Sequence, residues 1–185
     1  TRQIIEAGRL LRAPKLDRIV VAIDPPTTSG GDEAGIVTAG RAGNELCVLG
    51  DDSAQGSPTA WAQAAVTAYY RHKADRIVAE ANNGGEMVEH TIRTVDASVP
   101  VKLVYASRGK QTRAEPISAI YEQGRGHHVG SFPAMEDEMC LWIPGQASPN
   151  RMDALVWAAT ELMLHNSYVP SDVQFGSITK SSVWS

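Results

Sequence analysis

The 185-residue sequence predicts an α/β fold: a mixed sheet, built from an antiparallel three-strand meander and parallel strands, with helices on both faces. Three observations lead there. Compact apolar runs such as Arg18 to Asp24 and Arg76 to Glu80 have the unbroken hydrophobicity of strands buried on both sides. A tight turn at Arg41 to Asn44 joins two further strands, and from Ser57 onward strand and helix patterns alternate.

Thr1 to Asp17, with Arg9, Arg12 and Lys15 around Leu10, Leu11 and Pro14, reads as a lead-in and not as a core element. Arg18 to Asp24 is the first strand, stopped by Pro25-Pro26. After a loop rich in Thr, Ser and Gly, Gly35 to Ala39 and Leu46 to Leu49 complete the meander. Ser57-Pro58 supplies an N-cap and a first-turn proline for a helix on which Trp61, Ala64, Ala65, Ala68 and Tyr69 recur at helical spacing. Arg76 to Glu80 is the next strand. A helix then opens at Asn83-Gly84-Gly85 and runs to about Val95, followed by a strand from Val101 to Tyr105. Arg113 to Gln123 reads as a helix, Gly126 to Val129 as an extended piece, and Pro133 to Met139 as a short helix whose Glu136-Asp137-Glu138 form a solvated face. Ser148-Pro149 repeats the cap signature, and Met152, Leu155, Val156, Ala159, Leu162 and Met163 mark a last amphipathic helix. The expected organisation is a lead-in over 1–17, one domain over 18–168 and a tail over 169–185.

With 17 basic against 21 acidic residues and a net charge of -4, the surface as a whole is not a nucleic-acid footprint, so any DNA contact is local. No apolar run is long enough to span a membrane. Cys47 and Cys140 stand apart from each other and from any metal-ligand spacing, which excludes a disulfide framework or a zinc motif and suits a reducing cytoplasm. No Gly-x-x-x-x-Gly-Lys-Ser/Thr loop occurs, so ATP hydrolysis is not expected of this chain.

Three carboxylates occupy element ends. Asp24 and Glu80 each finish an apolar strand, and Asp153 lies in the first turns of the last helix. Acids there are partly desolvated unless a cation shares them, and hard oxygen ligands suit magnesium or manganese. Each also has a plainer reading: Asp24 before Pro25 caps a turn, and Asp153 serves the helix dipole. Spacing alone leaves both readings open.

A family resemblance narrows the choice. Ile23-Asp24-Pro25, Asp32-Glu33-Ala34-Gly35-Ile36, Val78-Ala79-Glu80 with Asn82, Glu115-Pro116-Ile117, Tyr121-Glu122-Gln123-Gly124-Arg125, His127-His128-Val129-Gly130 and Arg151-Met152-Asp153-Ala154-Leu155-Val156-Trp157-Ala158 together resemble, over nearly the whole chain, the C-terminal nuclease domain of the large subunit of tailed-phage terminases. The resemblance implies a ribonuclease H-like fold related to the resolvase RuvC, and an endonuclease that cuts concatemeric double-stranded phage DNA during packaging. It carries Asp24, Glu80 and Asp153 over as a catalytic, metal-binding triad for two Mg2+ or Mn2+ ions, with Asp24 bridging both, and Asp32 as a further acid that assists. One departure is Asn150, where similar sequences often have Asp; its carbonyl oxygen is still able to orient a water. The implied chemistry is two-metal phosphodiester hydrolysis: one ion activates a water and the other stabilises the departing 3' oxygen.

The resemblance further implies an upstream ATPase domain, portal and small terminase subunit as partners, and action at the procapsid portal in the host cytoplasm. Ser107 to Arg113 is the densest basic loop near the expected site, which makes Arg108, Lys110 and Arg113 the candidate DNA contacts against a merely solvated loop. Asn82 to Gly85 is a weak phosphate-binding candidate, Arg125 and the His127-His128 pair are weaker DNA-contact candidates with no catalytic role for either histidine, and Trp61, Trp157 and Met163 read as core. The competing functions are a resolvase-like nuclease for branched DNA and a non-catalytic docking module.

Overall fold

Alternate residues of β1 (Arg18–Asp24) feed two different cores, and this sets the layers of the molecule. The computed structural model describes residues 1–26, 33–81, 85–105, 110–143, 145–146 and 149–164. Val21 and Ile23 face one side, where α2 (Pro58–His72) and α3 (Gly85–Val95) cover them with Trp61, Ala65, Val88 and Ile92. Val20 and Ala22 face the other. There α4 (Lys110–Glu122), α5 (Pro133–Leu141) and α6 (Asn150–Ala159), which runs on into a π-helical turn at Thr160–Leu164, complete the second layer.

The meander is β1, β2 (Glu33–Ala42) and β3 (Glu45–Asp51), all antiparallel, with a register shift between Thr38 and Ala39. The two-residue β4 (Ala54–Gln55), too short for a sequence signal, pairs with β2. β5 (Arg76–Glu80) and β6 (Val101–Val104) extend the sheet in parallel beyond β1, and β7 (Gly126–His128) runs parallel to β3. The strand order is β6-β5-β1-β2-β3-β7. This is the mixed sheet with helices on both faces that the sequence predicts. Ser57 caps α2 through the Ala60 amide as expected, and Pro58 begins it. At the start of α6, Pro149 takes the cap position, and Ser148 lies outside the described residues.

Two expectations are corrected. The amino-terminal segment does enter the core: Arg2–Ala7 forms helix α1, and Ile5 is buried against the α6 layer. Glu136 is not on a solvated face but 1% exposed. Its carboxylate receives Arg9 at 2.9 and 3.1 Å, Arg2 at 3.2 Å, the Phe132 amide at 3.1 Å and His128 Nδ1 at 2.9 Å. Glu136 resembles part of a solvated face because its arginine partners, Arg2 and Arg9, stand more than 120 residues away in the chain.

Burial opposes charge on Glu136, yet the Arg9 and His128 hydrogen bonds prevail and hold its pKa down at about 2. Burial likewise depresses the His128 pKa against the pull of Glu136 and leaves the imidazole neutral. A carboxylate only accepts, so Nδ1 carries the ring hydrogen and Nε2 accepts from the Tyr121 hydroxyl at 2.9 Å. This chain of bonds ties α1, α4, β7 and α5 together. Since the folded pKa of Glu136 lies below its ordinary value of 4.5, its contribution is complete above pH 4.5 and disappears as pH falls toward 2. Urea titrations across pH 7 to 2.5 should show a Glu136→Gln variant less stable by on the order of 3 kcal/mol at neutral pH, with the gap closing below pH 4.5; a gap independent of pH would contradict the assignment.

Candidate active site at the strand ends

β1 and β5 run parallel with Ile23 opposite Ala79, so the next residues, Asp24 and Glu80, end neighbouring strands at the same edge of the sheet. Asp24 continues the Val20–Ala22 series and Glu80 follows Val78 by two, which puts both on the α6 face. Gly35 lies opposite Asp24 on β2. A β-carbon at Gly35 would overlap the backbone carbonyl of Asn150 and stand 2.9 Å from the Arg151 nitrogen. Only glycine allows the first turn of α6 to rest on the strand backbone there. That turn carries Asp153, which is therefore brought to the Asp24 end of the sheet.

Asp24 is 6% and Asp153 2% exposed. Glu80 is half-buried, and its Oε2 accepts a 3.0 Å hydrogen bond from the indole nitrogen of Trp157, one helical turn beyond Asp153. The Arg113 guanidinium lies over the same indole, 4.3 Å from the ring centre, and its Nε and Nη1 are buried without a protein partner. Trp157 is core, as expected, but it also has this polar role.

Arg151 fixes the helix start. Its guanidinium bonds Glu33, reaching Oε1 at 2.5 Å, Asp51 Oδ2 at 3.0 Å and Glu138 Oε1 at 3.0 Å, while Glu138 Oε2 accepts the Met152 amide at 3.1 Å. Burial works against the Arg151 charge, but the hydrogen bonds to Glu33 and Glu138 outweigh it and raise its pKa; burial also pushes the Glu138 carboxyl up. Asn150 donates its side-chain amide to the Glu33 carbonyl, which leaves its own carbonyl oxygen uncommitted by that bond.

Of the expected site residues, Asp24, Glu80 and Asp153 thus come to one end of the sheet, whereas Asp32 and Arg108 lie outside the described residues, as do Asn82 to Gly84. Lys110 and Arg113 belong to the first turn of α4 and not to a loop, because the helix begins three residues earlier than its apolar pattern indicates. Arg125 bonds Asn44 in the β2–β3 turn, at the opposite end of the sheet, and His127 bonds the Gly8 carbonyl and Glu45. Sequence reasoning missed Arg151, Glu33, Asp51 and Glu138. Glu33 and Asp51 gave one faint signal, a carboxylate at each strand end.

Among the described residues no three His, Cys, Asp or Glu side chains are close enough to form a finished metal cage. The chemistry of the donors nonetheless suits a hard divalent ion: all three offer carboxylate oxygens, and two are buried at one edge.

A family model for the terminase RNaseH-like domain matches residues 21–165. The chain belongs to this family. Among solved structures, the P22 large terminase nuclease domain superposes with a TM-score of 0.65 at 12% identity, covering 89% of each chain. The human cytomegalovirus terminase nuclease domain, Mn soaked and inhibitor bound, gives 0.58 at 14% identity over 78% of this chain and 82% of that one. The large terminase of the thermophilic bacteriophage D6E gives 0.65 at 9% identity, with 84% of this chain matching 43% of that one. The fold is that of a terminase nuclease domain. No curated protein matches.

Gly35→Ala should lower stability by about 1–3 kcal/mol, since backbone and not a flexible side chain fills the space. Urea denaturation would read this directly, and a variant as stable as the parent would mean that α6 is not seated on β2 at that point.

Proposed function

We propose that this chain is a divalent-metal-dependent DNA endonuclease that cuts concatemeric double-stranded DNA during genome packaging. The observation that carries the reading is the seating of α6 on Gly35, which gathers Asp153 to the strand edge where Asp24 and Glu80 end, within a terminase nuclease frame. Asp24, Glu80 and Asp153 would hold two Mg2+ or Mn2+ ions, and Asp32 would assist. When bound, the ions supply an activated water and neutralise charge on the cleaved phosphodiester.

The chain's own residues do the rest. Arg151 holds the start of α6 so that Asp153 keeps its station, and the side-chain carbonyl of Asn150 would orient a water. Arg113, at the start of α4, would donate to a DNA phosphate near Glu80, joined by Lys110 and Arg108. Partners on this reading are double-stranded DNA, an ATPase domain of the same protein, the portal and the small terminase subunit, and the place of action is the procapsid portal in the host cytoplasm.

Supercoiled plasmid incubated with the chain and Mn2+ or Mg2+ should be nicked and linearised with little sequence preference, and a chelator should stop it. Asp24→Ala should fold and lose cleavage by about a hundredfold or more; near-parental cutting by the folded variant would remove Asp24 from the site. In chelator, the acids repel a phosphate backbone, so Asp153→Asn should bind labelled duplex more tightly, on the order of 1 kcal/mol at low salt, while losing activity. Unchanged anisotropy titrations would mean that Asp153 does not face DNA.

A further inference from the structure

Trp157 joins two groups that lie on separate elements. Its indole edge donates to Glu80 Oε2 at 3.0 Å, and its ring face supports the Arg113 guanidinium at 4.3 Å. A buried indole N–H needs an acceptor, but a neutral carbonyl serves that need without placing a charge beside the core. Here the acceptor is a strand-end carboxylate at the candidate active site. The guanidinium over the face of the indole keeps Nε and Nη1 buried without a protein hydrogen-bond partner, so the ring is its main support.

Trp157 is 4% exposed and sits one turn from Asp153 on the same helix, so its position is fixed by the seating that fixes Asp153. With Oε2 accepting from the indole, the Glu80 carboxylate is held in one orientation at the strand end, and Oε1 together with the second lone pair of Oε2 is left to offer a cation. We infer that Trp157 is the positioning residue of this site: its N–H fixes the orientation in which the Glu80 carboxylate meets a cation, and its ring holds the Arg113 guanidinium beside that carboxylate, where DNA would approach. This rests on the proposed metal-dependent reading. It adds a residue that touches neither cation nor DNA and yet governs how both are held.

The test exchanges one group of atoms. Benzothienylalanine at position 157 keeps the size and π face of indole but replaces N–H with sulfur; Trp157→Phe and Glu80→Ala accompany it. Mn2+ alone is the probe, with free Mn2+ followed by electron paramagnetic resonance on the full chain, and plasmid cleavage is measured alongside. The benzothienyl protein should bind Mn2+ about tenfold more weakly and cut about tenfold more slowly, with its KM for plasmid unchanged because Arg113 keeps its platform. Trp157→Phe should show both losses and a raised KM as well. Parental Mn2+ affinity and rate in the benzothienyl protein, beside a weakened Glu80→Ala, would overturn the inference and leave the metal site standing. If Glu80→Ala also binds Mn2+ like the parent, Glu80 is no ligand, and the inference falls together with that part of the proposed function.

Discussion

The contact between the first turn of α6 and the bare backbone of Gly35 is the constraint from which the rest of the site follows. Helices ordinarily pack on sheets through side chains; here backbone meets backbone, and the helix comes nearer the strand than any Cβ would allow. That approach places Asp153, which follows from α6, and Asp24, which follows from β1, at one edge. Without it the two acids belong to different layers of the molecule.

Charge pins α6 at both ends. At its start Arg151 gathers Glu33, Asp51 and Glu138; beyond its end, in the π-helical turn, the buried Glu161 takes Arg18 at 2.8 Å and Lys102 at 2.7 Å. Arg18 opens β1 and Asp24 closes it, so the helix runs antiparallel to the strand and is tied to it over its whole length. Buried ion pairs of this sort add little net stability over apolar packing, but removing one partner leaves the other charge stranded, which makes the arrangement specific. The Tyr121-His128-Glu136 chain, with Arg2 of α1 bonded to Glu136, does the same for α1 and α5.

The bounds of β1 and β5 were legible because strands buried on both faces leave an unbroken apolar run, and a carboxylate ending such a run is conspicuous. Asp24 and Glu80 stood out for that reason, and Asp153 for its place after Ser148-Pro149. What stayed hidden depends on distance in the chain. Glu136 and its arginines, Arg151 and Glu33, and Trp157 and Glu80 are each separated by 77 residues or more, and no local pattern marks such pairs. Gly35 was hidden too, since a glycine admitting a helix looks in sequence like any strand glycine. The helical state of α1 was obscured by its basic surroundings, although Ile4 and Ile5 pack it on the core and Arg2 ties it to Glu136.

The central claim is that Asp24 and Asp153 act as one unit because α6 is seated on β2. An anomalous difference map from crystals of the chain soaked in Mn2+ tests it most directly. The account predicts an ion ligated by carboxylate oxygens of both Asp24 and Asp153, with Glu80 contributing a carboxylate oxygen; an ion bound by only one of the two aspartates, or at another edge of the sheet, would contradict it.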